Sequence, residues 1–497
     1  MVLEMIRLDS TSQVPLYRQL SSNIAELIGR GGIRAGERLP ATRELAGLLG
    51  LNRTTISAAY ALLEEQGLIH GHVGRGSFVA SRPGFSGEQS NSEPGVDWDA
   101  ILPRPDLHAS NSAYPIEISF SSSRPPRDAF PLASFRRLAR EVIDGPQAAD
   151  ILQLGSPHGY GPLRRYLYEE AKAAGTAGPD DDLIITNGCQ QAWDLLARIL
   201  ASAGTPVVLE DPIYHGLWQV FARAGAEVIP APVTGRGVDT GVLEQLFRRH
   251  RPRLAVLTPS FQNPTGATLP LDQRHRVIDL ARQYNVVLLE SDIYSELRYR
   301  ETALPRLKQL DTSGRVVLLG SYSKVAFPGL RVGWVIAPRP LVAHLAALKQ
   351  MSDLHSDHLS QAVLLRFAES GELRRHIERT RHAGSQRLDA VLRACREHLP
   401  TGARFSRPVG GMSLWVELPA PLRSAELLTR VQAQGVDFLP GSYFSAERSH
   451  PRGLRLSFGG LLPEQIERGV RIIGEVAKRE LETSAANAAQ EPVTALV

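Results

Sequence analysis

A large α/β domain preceded by a small, mostly helical unit is the fold predicted by three observations. The apolar runs LIIT (183–186), PVVLE (206–210), LAVLTP (254–259), VVLLES (286–291) and RVVLLGS (315–321) alternate with helical segments. Near-continuous apolar strands between helices require a mostly parallel sheet covered on both faces. Past Gly402, Met412, Leu414, Val416 and Leu418 alternate at period two, which marks a smaller α+β subdomain. Residues 14–80 instead read as a separate unit of three helices and two short strands.

Within that first unit, Leu16, Leu20, Ile24, Leu27 and Ile28 share one helical face, and Gly31-Gly32 ends the helix. A second helix follows Leu39-Pro40, with Leu45, Ala46 and Leu49 facing inward. After Gly50, Asn52 is placed to cap a third helix from Arg53, whose apolar face is Ile56, Ala59, Tyr60 and Leu63 and which stops at Gly67. Leu68-Ile69 and Ser77-Phe78-Val79 then bracket the turn GHVGRG, as two strands around a wing would. These elements bound a first domain at 1–80. Residues 81–112 are rich in Pro, Gly, Ser, Asn and Asp and read as a linker. The large domain is expected over 113–482, followed by a disordered tail, 483–497.

At 497 residues the chain is long enough for two to four domains with a sizeable core. Its net charge of +4 is too small a field to argue for nucleic acid by itself, so DNA binding must rest on a local module. The start, MVLEMIRLDS, has no apolar signal region, and no apolar run is long enough to cross a bilayer, so a cytoplasmic protein is expected. Two cysteines, Cys189 and Cys395, are too few for a disulfide framework or a Cys-rich zinc site, and no metal is expected. Arginine carries nearly all the positive charge. The only lysines are Lys172, Lys308, Lys324, Lys349 and Lys478. Unlike guanidinium, an amine can lose its proton and act as a nucleophile, which directs attention to the stretch SYSKVAFPGLRVGW around Lys324.

From Tyr160 to Phe458 the chain resembles the class I aminotransferases of pyridoxal 5'-phosphate (PLP) fold type I. The Ser-x-Ser-Lys of Ser321, Ser323 and Lys324, followed by Pro328-Gly329-x-Arg331-x-Gly333, looks like that family's Schiff-base signature. The resemblance implies that Lys324 bonds to PLP while Ser321 and Arg331 hold its phosphate, with Ser323 also among the cofactor-binding residues. TNGCQQAWDLL resembles the family's phosphate-binding turn, with Gly188, Cys189 and Gln190 offering backbone amides at a helix N-terminus. Cys189 stands where the family usually has Ala, Ser or Thr. By the same resemblance Tyr214 stacks on the ring, Asn263 and Tyr294 reach its phenolic oxygen, and Asp292 pairs with the pyridinium. Arg455 in RGLRLSF is placed for a substrate or effector carboxylate, and Tyr160 for an early active-site turn.

The N-terminal unit, through GERLPATRELAGLLGLNRTTISAAYALLEEQGLI and GRGSFV, resembles the winged helix-turn-helix of GntR-type bacterial repressors. This implies that the helix from Arg53 enters the major groove of double-stranded operator DNA, presenting Arg53, Thr54, Thr55 and Ser57. Arg43 is implied to contact backbone or a guanine, and Arg75 on the wing a phosphate or the minor groove. Ala41 replaces the family's usual Ser after Leu-Pro.

Both halves together resemble the MocR/GabR family of bacterial transcriptional regulators. The resemblance implies a head-to-tail homodimer whose large domain holds PLP as a sensor of an amino compound, or of PLP itself. A 32-residue linker spans about 30 Å as a flexible chain, close to the roughly 34 Å between half-sites one DNA turn apart. The alternative is an active class I aminotransferase with a fused DNA-binding module, since Asn263, Asp292, Lys324 and Arg455 are all present.

Overall fold

The computed structural model describes residues 8, 14–29, 32–33, 36–72, 76–80, 101, 114–445, 447 and 449–490. The chain divides into two compact units, 1–107 and 108–497. The expected linker falls almost wholly outside the described residues.

In the first unit, α1 (Leu16–Gly29), α2 (Thr42–Leu49) and α3 (Arg53–Glu65) pack around Leu20, Ile24, Leu45, Ile56, Ala59, Tyr60 and Leu63. The Asn52 side chain caps α3 by accepting from the Thr54 amide at 3.2 Å. Ala41 has no side-chain oxygen to cap α2, and the Glu44 carboxylate accepts from the Ala41 amide at 3.3 Å. The Tyr60 hydroxyl donates to the Pro40 carbonyl at 2.8 Å, tying α3 to the entry of α2. Strands β1 (Ile69–His72) and β2 (Gly76–Val79) pair antiparallel, as a wing requires.

The second unit opens with β3 (Ile118–Ser119) and is organised by an eight-stranded sheet. Its strands are β4 (Asp181–Asn187), β5 (Pro206–Asp211), β6 (Glu227–Thr234), β7 (Gly237–Val238), β8 (Leu254–Leu257), β9 (Val287–Asp292), β10 (Val316–Ser321) and β11 (Val332–Pro338). They lie in the order β4-β11-β10-β9-β8-β5-β6-β7. The central run from β10 through β9, β8 and β5 to β6 is parallel, while β11 is antiparallel to both β10 and β4. Leu209, Val256, Leu289, Val317 and Leu319 bury one face against α4 (Gly188–Leu200) and its neighbours. Val208, Ala255, Leu257, Leu288 and Val316 bury the other against the helices at 240–250 and 271–284. Burial on both faces explains why these strands are apolar throughout.

The subdomain is built on β12 (Arg404–Phe405), β13 (Ser413–Glu417), β15 (Leu439–Pro440) and β16 (Gly453–Ser457), ordered β12-β13-β16-β15 and antiparallel, while β14 (Val436–Asp437) pairs with β3. Met412, Leu414, Val416 and Leu418 are all buried, as their alternation predicts. Helices α5 (Glu372–His398) and α6 (Pro463–Gln490) cover this sheet with Leu388, Val391, Ile466 and Val470. Helix α6 corrects the expected boundary at 482, because it continues through 483–490. That segment, TSAANAAQ, carries four alanines, the strongest helix former, and extends an already formed helix at no nucleation cost. Among the described residues no helix is long and apolar enough to cross a membrane.

Candidate functional site

The carboxyl ends of β8, β9 and β10, the start of α4 and the edge of the subdomain sheet enclose a cavity of about 430 Å³. Ligands of parallel sheets bind at this end because the strand termini and following loops converge there. At one side, Gly188 opens α4 with φ +71°, and a Cβ there would lie 2.4 Å from Arg331 Nη2. A Cβ on Gly333 would lie 2.8 Å from the Gly188 carbonyl carbon and 2.9 Å from the Cys189 nitrogen. The two glycines thus let β11, the helix start and the Arg331 guanidinium converge. Arg331 makes only long contacts, 3.4 Å to the carbonyls of Pro328 and Asn187. Ser321 Oγ lies 3.0 Å from the Val332 carbonyl, to which it can donate, and 3.0 Å from Ser323 Oγ, and accepts from the Ser323 amide at 3.1 Å. Free amides at a helix start beside a guanidinium form an anion site suited to phosphate. Burial pushes the Cys189 thiol up to about 12, so it stays protonated, donating to the Gly320 carbonyl at 3.5 Å. The Gln190 side chain, at the cavity wall, donates to the Gly216 carbonyl at 3.2 Å.

In the middle of the cavity, Lys324 Nζ donates to the Ser123 carbonyl at 2.7 Å and sits 5.8 Å from the centre of the Tyr294 ring. Loss of solvent, reinforced by Arg455, lowers its amine to about 8. Tyr294 is buried and its phenol is pushed up to about 12 by desolvation. Beyond it, Arg455 is 3 % exposed, donates from Nη1 to Asn263 Oδ1 at 3.1 Å and from Nη2 to the Ser121 carbonyl, and lies over the Phe444 ring at 5.1 Å. Its Nε is buried without a hydrogen-bond partner, and desolvation lowers the guanidinium to about 10. A buried donor left open is costly, and an anionic oxygen would satisfy it. Tyr214, 43 % exposed, flanks the cavity with its ring packed close over Gly216. An anion site, a partly neutral amine and a buried guanidinium with a spare donor fit a phosphate-bearing aldehyde beside a carboxylate.

Two expected residues are placed elsewhere. Asp292 does not line the cavity; its carboxylate pairs with Arg306 Nε. The reason is strand alternation. Leu289 faces the α4 side and Leu288 the opposite side, so Ser291 and Ile293 follow Leu289 into the cavity while Asp292 follows Leu288 away from it. Tyr160 precedes the helix at 161–173, where its amide donates to Gln361 Oε1 at 2.8 Å, and it lines a different cavity with Glu141 and Ile151. Conversely, the segment Ser121–Arg124, Trp193, Thr258, Ser291 and Tyr443 line the main cavity without having been singled out. The alternation of VVLLES could have identified Ser291; Ser121–Arg124 and Tyr443 enter through long-range packing with no local signal.

In the first unit, Arg43, Arg53, Thr54 and Ser57 are exposed and Thr55 partly so, with the last four on the first turns of α3. Arg75 lies outside the described residues.

Residues 117–473 match the family model for aminotransferase class I and II, and residues 16–79 match that for bacterial regulatory proteins, gntR family. The chain is 35% identical to 2-aminoadipate transaminase of Thermus thermophilus over 73% of this chain and 90% of that one. It is 30% identical to the probable rhizopine catabolism regulatory protein MocR of Rhizobium meliloti, over 94% of both chains. Among solved structures, Pyrococcus horikoshii kynurenine aminotransferase in complex with PMP superposes with TM-score 0.73 at 31% identity, covering 78% of this chain and 98% of that one.

Proposed function

The chain belongs to the class I and II aminotransferase family, in the regulator branch typified by MocR, and from that premise we propose a PLP-dependent, DNA-binding transcriptional regulator that senses an amino compound or PLP itself. The observation that carries the reading is that one chain holds both a capped helix presenting Arg53, Thr54 and Ser57 to solvent and a cavity with a nucleophilic amine between two anion sites. PLP, when bound, supplies an aldehyde with which amines condense reversibly. The amides from Gly188 to Gln190, with Arg331, Ser321 and Ser323, would hold its phosphate. Lys324 offers the amine, which is already partly neutral near physiological pH. Tyr214, Asn263 and Tyr294 line the same cavity and would contact the ring, and Arg455 would take a carboxylate on an amino compound.

Arg43, Arg53, Thr54, Thr55, Ser57 and Arg75 are the proposed DNA contacts, with α3 in the major groove of a two-fold operator read by a homodimer in the cytoplasm. The test is to titrate candidate amino compounds into purified protein while recording its visible spectrum, then to measure operator binding with each compound that responds. Absence of imine absorbance in the wild type, as in Lys324→Ala, sinks the cofactor reading. A second reading, an active aminotransferase, draws on the 35% identity to a transaminase. Sustained keto-acid release over many turnovers would establish it over the sensor.

A further inference from the structure

The main cavity is electrostatically one-sided. Arg124, Lys324, Arg331 and Arg455 line it, and none of its described lining residues is an aspartate or glutamate. The carboxylates nearest in sequence are turned to the other face of the sheet. Glu290 accepts from the amides of Leu307 and Lys308, each at 2.8 Å, and Asp292 is neutralised by Arg306. What β9 gives the cavity instead is Ser291, a buried hydroxyl, next to Ile293.

A pyridine nitrogen keeps a proton at neutral pH when an anion shares it, and nearby cations oppose that charge. A serine hydroxyl can donate a hydrogen bond to the bare nitrogen, so the unprotonated form loses no partner. We infer that Ser291, not Asp292, meets the ring nitrogen of bound PLP, and that this nitrogen remains unprotonated. The inference rests on the cofactor reading given above and concerns this chain's own departure from it. Its consequence is functional. A neutral ring draws electrons from the Cα–H bond of a bound amino compound far less than a pyridinium does, so the site can hold an amine without readily removing that proton. Retention of the ligand serves a sensor and limits turnover.

The experiment is nitrogen NMR of the full-length protein reconstituted with PLP labelled with 15N in the ring. The expected resonance lies in the unprotonated pyridine range, stays there in Asp292→Asn, and moves to the pyridinium range in Ser291→Asp. A pyridinium resonance in the wild type overturns the inference while leaving cofactor binding intact. An unchanged resonance in a cofactor-loaded Ser291→Asp protein overturns the assignment of Ser291. Failure of the wild type to take up PLP, seen as no visible absorbance, overturns both this inference and the reading beneath it. The wild-type measurement needs no variant to fold, so the protonation state is decided even if Ser291→Asp does not accumulate.

Discussion

The nitrogen of Lys324 has to be neutral to attack an aldehyde, and its surroundings work toward that state. Desolvation and the Arg455 charge bring the amine to about 8, against roughly 10.4 for an unperturbed lysine. Because the proton is lost as pH rises, covalent uptake of PLP by apo-protein should accelerate with pH and level off around a midpoint near 8. Stopped-flow absorbance measures this directly, and a midpoint near 10 would count against the depressed amine. At the other end of the cavity, Arg455→Met removes the charged donor from a carboxylate. Charge-assisted hydrogen bonds of about 1.5–3 kcal/mol correspond to an affinity loss of about ten- to hundredfold. Spectral titration should show that loss for α-amino acids and little change for amines lacking a carboxylate. The sequence motifs around Gly188, Lys324 and Arg331 do mark residues that the fold brings together at one cavity. Asp292 lies outside that cavity, because residue type outweighed strand parity in the motif: the serine one position earlier follows Leu289 into it.

At the scale of elements, the anion site depends on how closely β11 approaches α4. Gly333→Ala puts a Cβ against main-chain atoms of Gly188 and Cys189 that cannot rotate aside. The strand and helix start must separate, so PLP affinity should fall by tenfold or more, read by equilibrium dialysis of the variant. A second junction joins β4 to the short helix at 307–310, where Lys308 Nζ meets Asp181 Oδ1 at 2.9 Å with both side chains buried. Lys308→Met leaves that carboxylate without its cation. Breaking a buried pair in this way costs about 3–5 kcal/mol, and calorimetry should register a lowered Tm of the large domain. The central strands were legible because burial on both faces makes them continuously apolar. Strand β6 was not, because EVIPAPVT carries Pro230 and Pro232. Beyond the two-residue β7, this strand borders the sheet, and its prolines lack amides where no further strand requires them. The last helix was cut short in the sequence reading because a polar, alanine-rich end looks like a tail until α5 and the subdomain sheet anchor its beginning.

For the whole molecule, regulation requires that the amine site and the DNA-reading unit share a free-energy difference. If an amino compound changes operator affinity by some factor, operator DNA must change affinity for that compound by the same factor. Fluorescence anisotropy with and without the compound, and spectral titration with and without operator, should therefore return one number. Unequal factors would mean that a species outside the cycle, such as a second oligomer, had entered. Lys324→Ala should leave operator binding near wild type while bringing the coupling factor close to one, because α3 and its cap lie in a separate compact unit. The electrostatic part of binding must come from local contacts, since the chain's net charge is only +4. If Arg53 neutralises one phosphate, Arg53→Ala should reduce the slope of log affinity against log salt by about 0.9 per protomer. The same variant should leave the visible spectrum and its response to amines unchanged. Loss of salt dependence without loss of amine binding, set against loss of coupling without loss of DNA binding in Lys324→Ala, separates the reader from the sensor within one chain.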